Sequence, residues 1–144
     1  MTDTIINPGH NQVLGTDSFD DAEKSFGPEY FEYRGEWNDY PKKRIVNDFP
    51  LHIDIEATDT CNLKCIMCPR NYLSGKTGHI GWELFQKVID EGAENHLPSI
   101  KLNYRGEPLL HPRLAEMVAY AKKKGIIETQ FNTNGLLLTE DKIT

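Results

Sequence analysis

Three short stretches of the chain predict β-strands. Residues 51–57, 99–104 and 127–132 alternate between apolar and polar side chains, which is the period of a half-buried strand. A segment with helical spacing lies between each strand and the next. This order favours right-handed βαβ units with a parallel sheet, so the expected fold class is α/β.

The two intervening helices are predicted from apolar residues three and four positions apart. Residues 82–94 carry two pairs of apolar residues at i, i+4, as a helix packed on a sheet requires: Leu84 with Val88 and Phe85 with Ile89. The second helix is expected to start near Pro112 and to stop before Gly125. Its predicted core stripe is Leu114, Met117, Val118 and Ala121.

The predicted strands carry polar side chains on one face, although parallel strands covered by helices are usually apolar on both. The polar positions are His52, Asp54, Glu56, Lys101, Asn103, Arg105, Glu128, Gln130, Asn132 and Asn134. The positions expected to face the helices are Leu51, Ile53, Ile55, Ile100, Leu102, Ile127 and Phe131. The polar face is either a half-exposed sheet surface or the interior of a partial barrel with a polar ligand cavity.

The first 50 residues divide by composition into two segments. Residues 1–25 are polar, acidic and without period, which predicts a flexible acidic tail. Residues 26–50 are rich in aromatic side chains and are expected to form an irregular N-terminal extension that packs on the main domain, residues 51–144. An aromatic platform for a substrate is the functional alternative.

Composition restricts the class of protein further. The 144 residues suffice for one domain. The net charge is −6, and residues 1–40, with nine acids and two bases, contribute −7 while the remainder contributes +1. No basic footprint for a nucleic acid is present. Neither an apolar run long enough for a bilayer nor a leader is evident, so no membrane association and a cytoplasmic location are expected.

The chain's three cysteines lie in one short motif, Cys61, Cys65 and Cys68, with CxxxCxxC spacing. Thiolates this close can reach one metal centre, and such soft ligands favour iron–sulfur, zinc or Cu(I). A cubane cluster normally takes one cysteine per iron, so one iron would stay open for a substrate. Structural zinc with His79 or His52 as the fourth ligand is the alternative. The odd count and the absence of a leader argue against disulfides.

Two further polar loops follow the second and third predicted strands. They are Arg105-Gly106-Glu107-Pro108 and Thr133-Asn134-Gly135. The carboxyl ends of parallel strands share one edge of a sheet, where α/β folds bind ligands. Both loops are therefore expected to lie beside the cysteine motif.

Together these motifs resemble the radical S-adenosylmethionine (radical SAM) enzyme superfamily over about residues 50–139. The resemblance implies a [4Fe–4S] cluster on the three cysteines and SAM on the open iron. It also implies that Glu107, next to Gly106, binds the SAM amino group, and that the backbone of Met67 contacts adenine. Arg105 stands where the family's Gly-Gly-Glu-Pro motif has its first glycine. Candidates for further polar contacts to SAM are Asn132, Thr133 and Asn134.

The same resemblance implies a reaction and a larger fold. A one-electron donor such as flavodoxin or ferredoxin would reduce the cluster, and cleavage of SAM would give a 5′-deoxyadenosyl radical that takes hydrogen from an unidentified small molecule or peptide. Residues 51–144 would be the first half of a partial (β/α)6 TIM-like barrel, ending in a helix that starts at Thr139.

The Cys-Pro-Arg and Leu-Leu-His-Pro sequences look most like the branch that often carries a C-terminal SPASM domain. That domain is expected to be absent because no cysteine follows Cys68. A non-catalytic iron–sulfur or zinc module, or an inactive fragment, is the alternative to an enzyme.

Overall fold

The computed structural model describes residues 26–72, 74–75 and 77–139. The acidic tail predicted for residues 1–25 lies outside the described residues, and so does the helix predicted after Thr139. No helix in the described part of the chain is long and apolar enough to cross a membrane.

The described elements are three helices and three strands that alternate after the first helix. In chain order they are α1 Pro28–Lys43, β1 His52–Asp54, α2 Trp82–Glu94, β2 Ser99–Lys101, α3 Leu114–Lys123 and β3 Glu128–Gln130. The strands are parallel in the order β1-β2-β3, with their first residues in register. The predicted α/β class with parallel βαβ units is confirmed, and the half-barrel agrees with a partial TIM-like fold.

One face of the sheet packs against α2 and α3 to form the hydrophobic core. Phe85 and Ile89 of α2, Met117 of α3 and Ile100 and Leu102 of the β2 segment are fully buried there. The predicted helix-facing side of the sheet is therefore largely confirmed.

Leu84 of the predicted helix pairs and Ile127 of the predicted sheet face depart from their expected burial. Leu84 is 56% exposed, because it lies at the solvent side of α2 rather than over the sheet. Ile126 is buried in the core, whereas Ile127 is only half-buried. Gly125 turns the chain with a positive φ of 93° directly before them, so the strand period does not extend back to these residues.

The strands are shorter than their alternating patterns predict. Each keeps three residues in the ladder, and single backbone bonds from Ile55 to Lys101 and from Leu102 to Gln130 extend it slightly. Beyond that point side chains replace backbone partners: the backbone N–H of Asn132 donates to the side chain of Asn103. The polar residues at the strand ends thus interrupt the ladder and open the edge where the loops lie.

The prediction that residues 26–50 are irregular is wrong over most of this segment, because Pro28–Lys43 is a helix. Pro28 and Glu29 lie in the first turn, and Lys42 and Lys43 lie in the last turn. An acid near the start and bases near the end interact favourably with the helix dipole. The aromatic residues Tyr30, Tyr33 and Trp37 are spaced three and four apart and form a row of ring contacts.

A core substitution in α2 tests this arrangement of the helix. Ile89→Ala removes a fully buried side chain and is expected to lower the free energy of unfolding by about 2–5 kcal/mol. Leu84→Ala, on the exposed side of the same helix, is the matched control and should stay within about 0.5 kcal/mol. Urea unfolding of the three proteins measures both. Equal losses at the two positions would contradict the placement of α2.

Candidate functional site

The cysteine loop, residues 60–77, is closed at its neck by a short antiparallel contact. The backbone N–H of Ile80 donates to the carbonyl of Ala57 at 2.9 Å. The hydroxyl of Thr58 donates to the carbonyl of Gly78 at 2.8 Å, and the N–H of Gly78 donates to the carboxylate of Asp59 at 2.7 Å. These bonds fix both ends of the loop at the carboxyl edge of the sheet.

The three cysteines within this loop are free thiols. Cys65 is exposed, and Cys61 and Cys68 are half-buried. The N–H of Cys68 donates to the carbonyl of Cys65 at 3.0 Å, and the side chain of Asn71 donates to the same carbonyl at 2.7 Å. Across the described residues, no three His, Cys, Asp or Glu side chains form a ready-made metal site. The donor set itself, three soft thiols on one loop, fits an iron–sulfur cluster.

The histidines considered for a zinc site have other partners. The His79 ring packs edge-on against the His111 ring, with 5.1 Å between their centroids. His52 lies at the start of β1 and contacts Ser99 and Asp54. Neither contact favours a zinc site at the thiols.

Gly106 lets the loop after β2 approach the backbone that leads into the cysteine loop. A Cβ atom at this position would lie 1.9 Å from the carbonyl oxygen of Thr58 and 2.9 Å from that of Thr60. Such distances are far below any real contact, so only glycine fits. The next residue, Glu107, donates its backbone N–H to the carbonyl of Thr60 at 2.8 Å. The two loops are therefore joined through their backbones.

The carboxylate of Glu107 joins the loop after β3 to the same cluster of loops. It is 2% exposed and accepts the hydroxyl of Thr133 at 2.6 Å, the N–H of Asn134 at 2.8 Å and the N–H of Leu109 at 3.0 Å. The last bond also caps a short 3-10 turn, Pro108–Leu110. A carboxylate offers about four acceptor positions, and these three donors from the described residues occupy three of them.

A third contact closes the set of loops. The side-chain amide of Asn134 donates to the side-chain oxygen of Asn62, between the first two cysteines, at 2.8 Å. The candidate site residues Gly106, Glu107, Thr133 and Asn134 are thus brought together beside the cysteine loop. Asn132 contacts Asn103 instead, and the Met67 side chain is 81% exposed.

Sequence reasoning did not identify Asn62 or the pair formed by Glu56 and Arg105. Arg105 donates from Nε and Nη2 to the Glu56 carboxylate at 3.1 and 2.5 Å, and its backbone N–H donates to it at 2.9 Å. These bonds raise the pKa of the Arg105 guanidinium. Their positions on one face of adjacent strands could have suggested the pair. Arg105 also borders an open cleft of about 830 Å³ beside the cysteine loop, with Lys64 and Arg70.

Comparison with known proteins identifies the family. The model of the radical SAM superfamily matches residues 55–144, which include all three loops. The chain therefore belongs to the radical SAM superfamily, as its motifs indicated. Members of this superfamily use a [4Fe–4S] cluster and SAM.

Individual relatives agree with this assignment. The chain is 35% identical over 95 residues to the tungsten-containing aldehyde ferredoxin oxidoreductase cofactor-modifying protein of Pyrococcus furiosus, covering 64% of this chain and 26% of that protein. It is 31% identical over 99 residues to the antilisterial bacteriocin subtilosin biosynthesis protein AlbA of Bacillus subtilis, covering 67% and 22%. The chain thus spans about a quarter of the length of these relatives.

A solved structure supports the fold. The crystal structure of BtrN in complex with AdoMet and 2-DOIA superposes with a TM-score of 0.62 at 24% identity. The match covers 68% of this chain and 41% of BtrN.

The close approach at Gly106 gives a direct test of the loop packing. Gly106→Ala must displace the backbone of Thr58, and overpacking of this kind is expected to cost about 1–3 kcal/mol of unfolding free energy. Gly78→Ala, in the neck of the cysteine loop, is the control, because a Cβ there meets no atom within 4 Å. Urea unfolding compares the two, and a Gly106→Ala protein as stable as the control would refute the contact.

Proposed function

We propose that this chain carries the part of a radical SAM enzyme that binds the cluster and SAM. The observation that carries the proposal is the joining of three strand-end loops through Gly106, Glu107 and Asn134. The loops lie at the edge of the sheet where α/β folds bind ligands. The enzyme as a whole would cleave SAM reductively and abstract hydrogen from a substrate.

Cys61, Cys65 and Cys68 are proposed to hold the cluster as thiolates. When bound, the cluster and SAM together supply a 5′-deoxyadenosyl radical that abstracts a substrate hydrogen atom. The loop that carries the thiols is held at its neck, and Arg70 and Asn62 tie it to Asp59 and Asn134. The role of the protein is ligation, orientation and exclusion of water.

Glu107 is proposed to bind the SAM ammonium group through the acceptor position that its protein donors leave open. A carboxylate fixed by three donors is held in one orientation, so little freedom is lost when a ligand binds. Asn132, Thr133 and Asn134 are proposed to shape the polar surroundings of SAM, and Met67 to contact adenine through its backbone.

The proposed partners are a one-electron donor such as flavodoxin or ferredoxin and a substrate of unidentified class, a small molecule or a peptide. The names of the relatives refer to cofactor modification and to bacteriocin biosynthesis, which span both substrate classes. A cytoplasmic location would keep the thiols reduced.

Replacement of the cysteines tests the cluster directly. Each of the variants Cys61→Ala, Cys65→Ala and Cys68→Ala is expected to lose the iron–sulfur absorbance after anaerobic reconstitution, because each removes one of only three thiols. Ser74→Ala, in the same loop, is the control and should keep the full absorbance. Iron and sulfide analysis quantifies the result. Stoichiometric zinc without iron–sulfur absorbance in the parent protein would contradict the proposal and favour a structural zinc module.

The role of Glu107 is tested by Glu107→Gln. The variant loses the charge that would favour the SAM ammonium, so the affinity for SAM should fall about tenfold or more while the cluster stays intact. Glu116→Gln serves as the control, since Glu116 pairs with Arg113 on the exposed side of α3. Equilibrium dialysis of the reconstituted proteins with labelled SAM measures the affinities. An unchanged affinity together with lowered stability would leave Glu107 with only its role of joining the loops.

A further inference from the structure

The first residues of the three strands form a hydrogen-bonded row on the polar face of the sheet. His52 Nδ1 lies 2.8 Å from the Ser99 hydroxyl, and that hydroxyl donates to the Glu128 carboxylate at 2.9 Å. Because Ser99 gives its only hydrogen to Glu128, it accepts from the Nδ1–H of His52. This row, His52–Ser99–Glu128, lies at the opposite end of the strands from the cysteine loop.

The row is not a nucleophilic site, although Ser99, His52 and Asp54 lie next to one another. Ser99 is fully buried, and its hydroxyl donates to the Glu128 carboxylate instead of to the His52 ring. Glu128, Ser99 and His52 therefore have a structural role, which is to hold another element against the sheet.

Helix α1 lies against this row. The phenol of Tyr33 donates to the Glu128 carboxylate at 3.0 Å, and the Tyr33 side chain is 3% exposed. The Trp37 ring meets the His52 ring edge-on, with 5.3 Å between the centroids. Burial raises the pKa of Tyr33, so the phenol stays protonated and remains a donor. Two residues one helical turn apart thus dock α1 on the polar face.

We infer that α1 is the floor of the reaction cavity. It covers the amino-terminal end of the polar face, while the cofactor loops lie at the carboxyl end. This role rests on the proposed function, since it assigns the polar face to the cavity. Helix α1 lies outside residues 55–144, which match the family, so this part is supplied by the extension of this chain. Closing this end removes one route for water to a site where water must be excluded.

Local hydrogen exchange tests the docking of α1. In Tyr33→Phe the bond to the Glu128 carboxylate is lost, and the amide of Glu128, which bonds Pro98, should exchange about tenfold faster or more. The amides of Ile55 and Leu102, toward the other end of the strands, should keep their rates. Phe31→Ala, at a half-exposed ring of α1, is the control and should leave all of these rates unchanged.

Chemical access to His52 provides the second readout. Trp37→Ala is expected to accelerate the modification of the His52 ring by diethyl pyrocarbonate several-fold, with exposed His96 as the internal reference, as followed by mass spectrometry. Unchanged exchange and modification rates would overturn the inference, and so would equal acceleration of every amide in the sheet. Both experiments use the chain without a cluster, so their failure would leave the cluster and SAM predictions untouched.

Discussion

The buried carboxylate of Glu107 is the interaction on which the loop edge of this protein depends. A charge removed from water is costly unless donors surround it, and here Thr133, Asn134 and Leu109 supply them. Two of these donors come from the loop after β3. Together with the contact at Gly106, they leave the three loops little freedom to move apart.

The two faces of the sheet make different kinds of contact. Its apolar face is buried under α2 and α3, and that face supplies most of the hydrophobic stabilisation. Its polar face holds two closed sets of contacts, one at each end of the strands. Asp54 and Gln130, which follow the amino-terminal row on their strands, are exposed.

Periodicity and spacing sufficed to predict the βαβ order, α2, α3 and the loops that carry the candidate site. These features depend on local pattern and on the geometry of parallel strands. Helix α1 was missed because its aromatic residues obscure the polar pattern of a surface helix, and its docking depends on Glu128, 95 positions from Tyr33. The donors around Glu107 were missed for a similar reason, since Thr133 and Asn134 reach it only through tertiary folding.

The three joined loops are proposed to form one site for both the cluster and SAM. Electron paramagnetic resonance of the anaerobically reconstituted, reduced protein tests it most directly. The expected result is the signal of a reduced [4Fe–4S] cluster that changes when SAM is added, because SAM would bind the iron without a cysteine ligand. A cluster signal that SAM leaves unchanged would contradict a shared site.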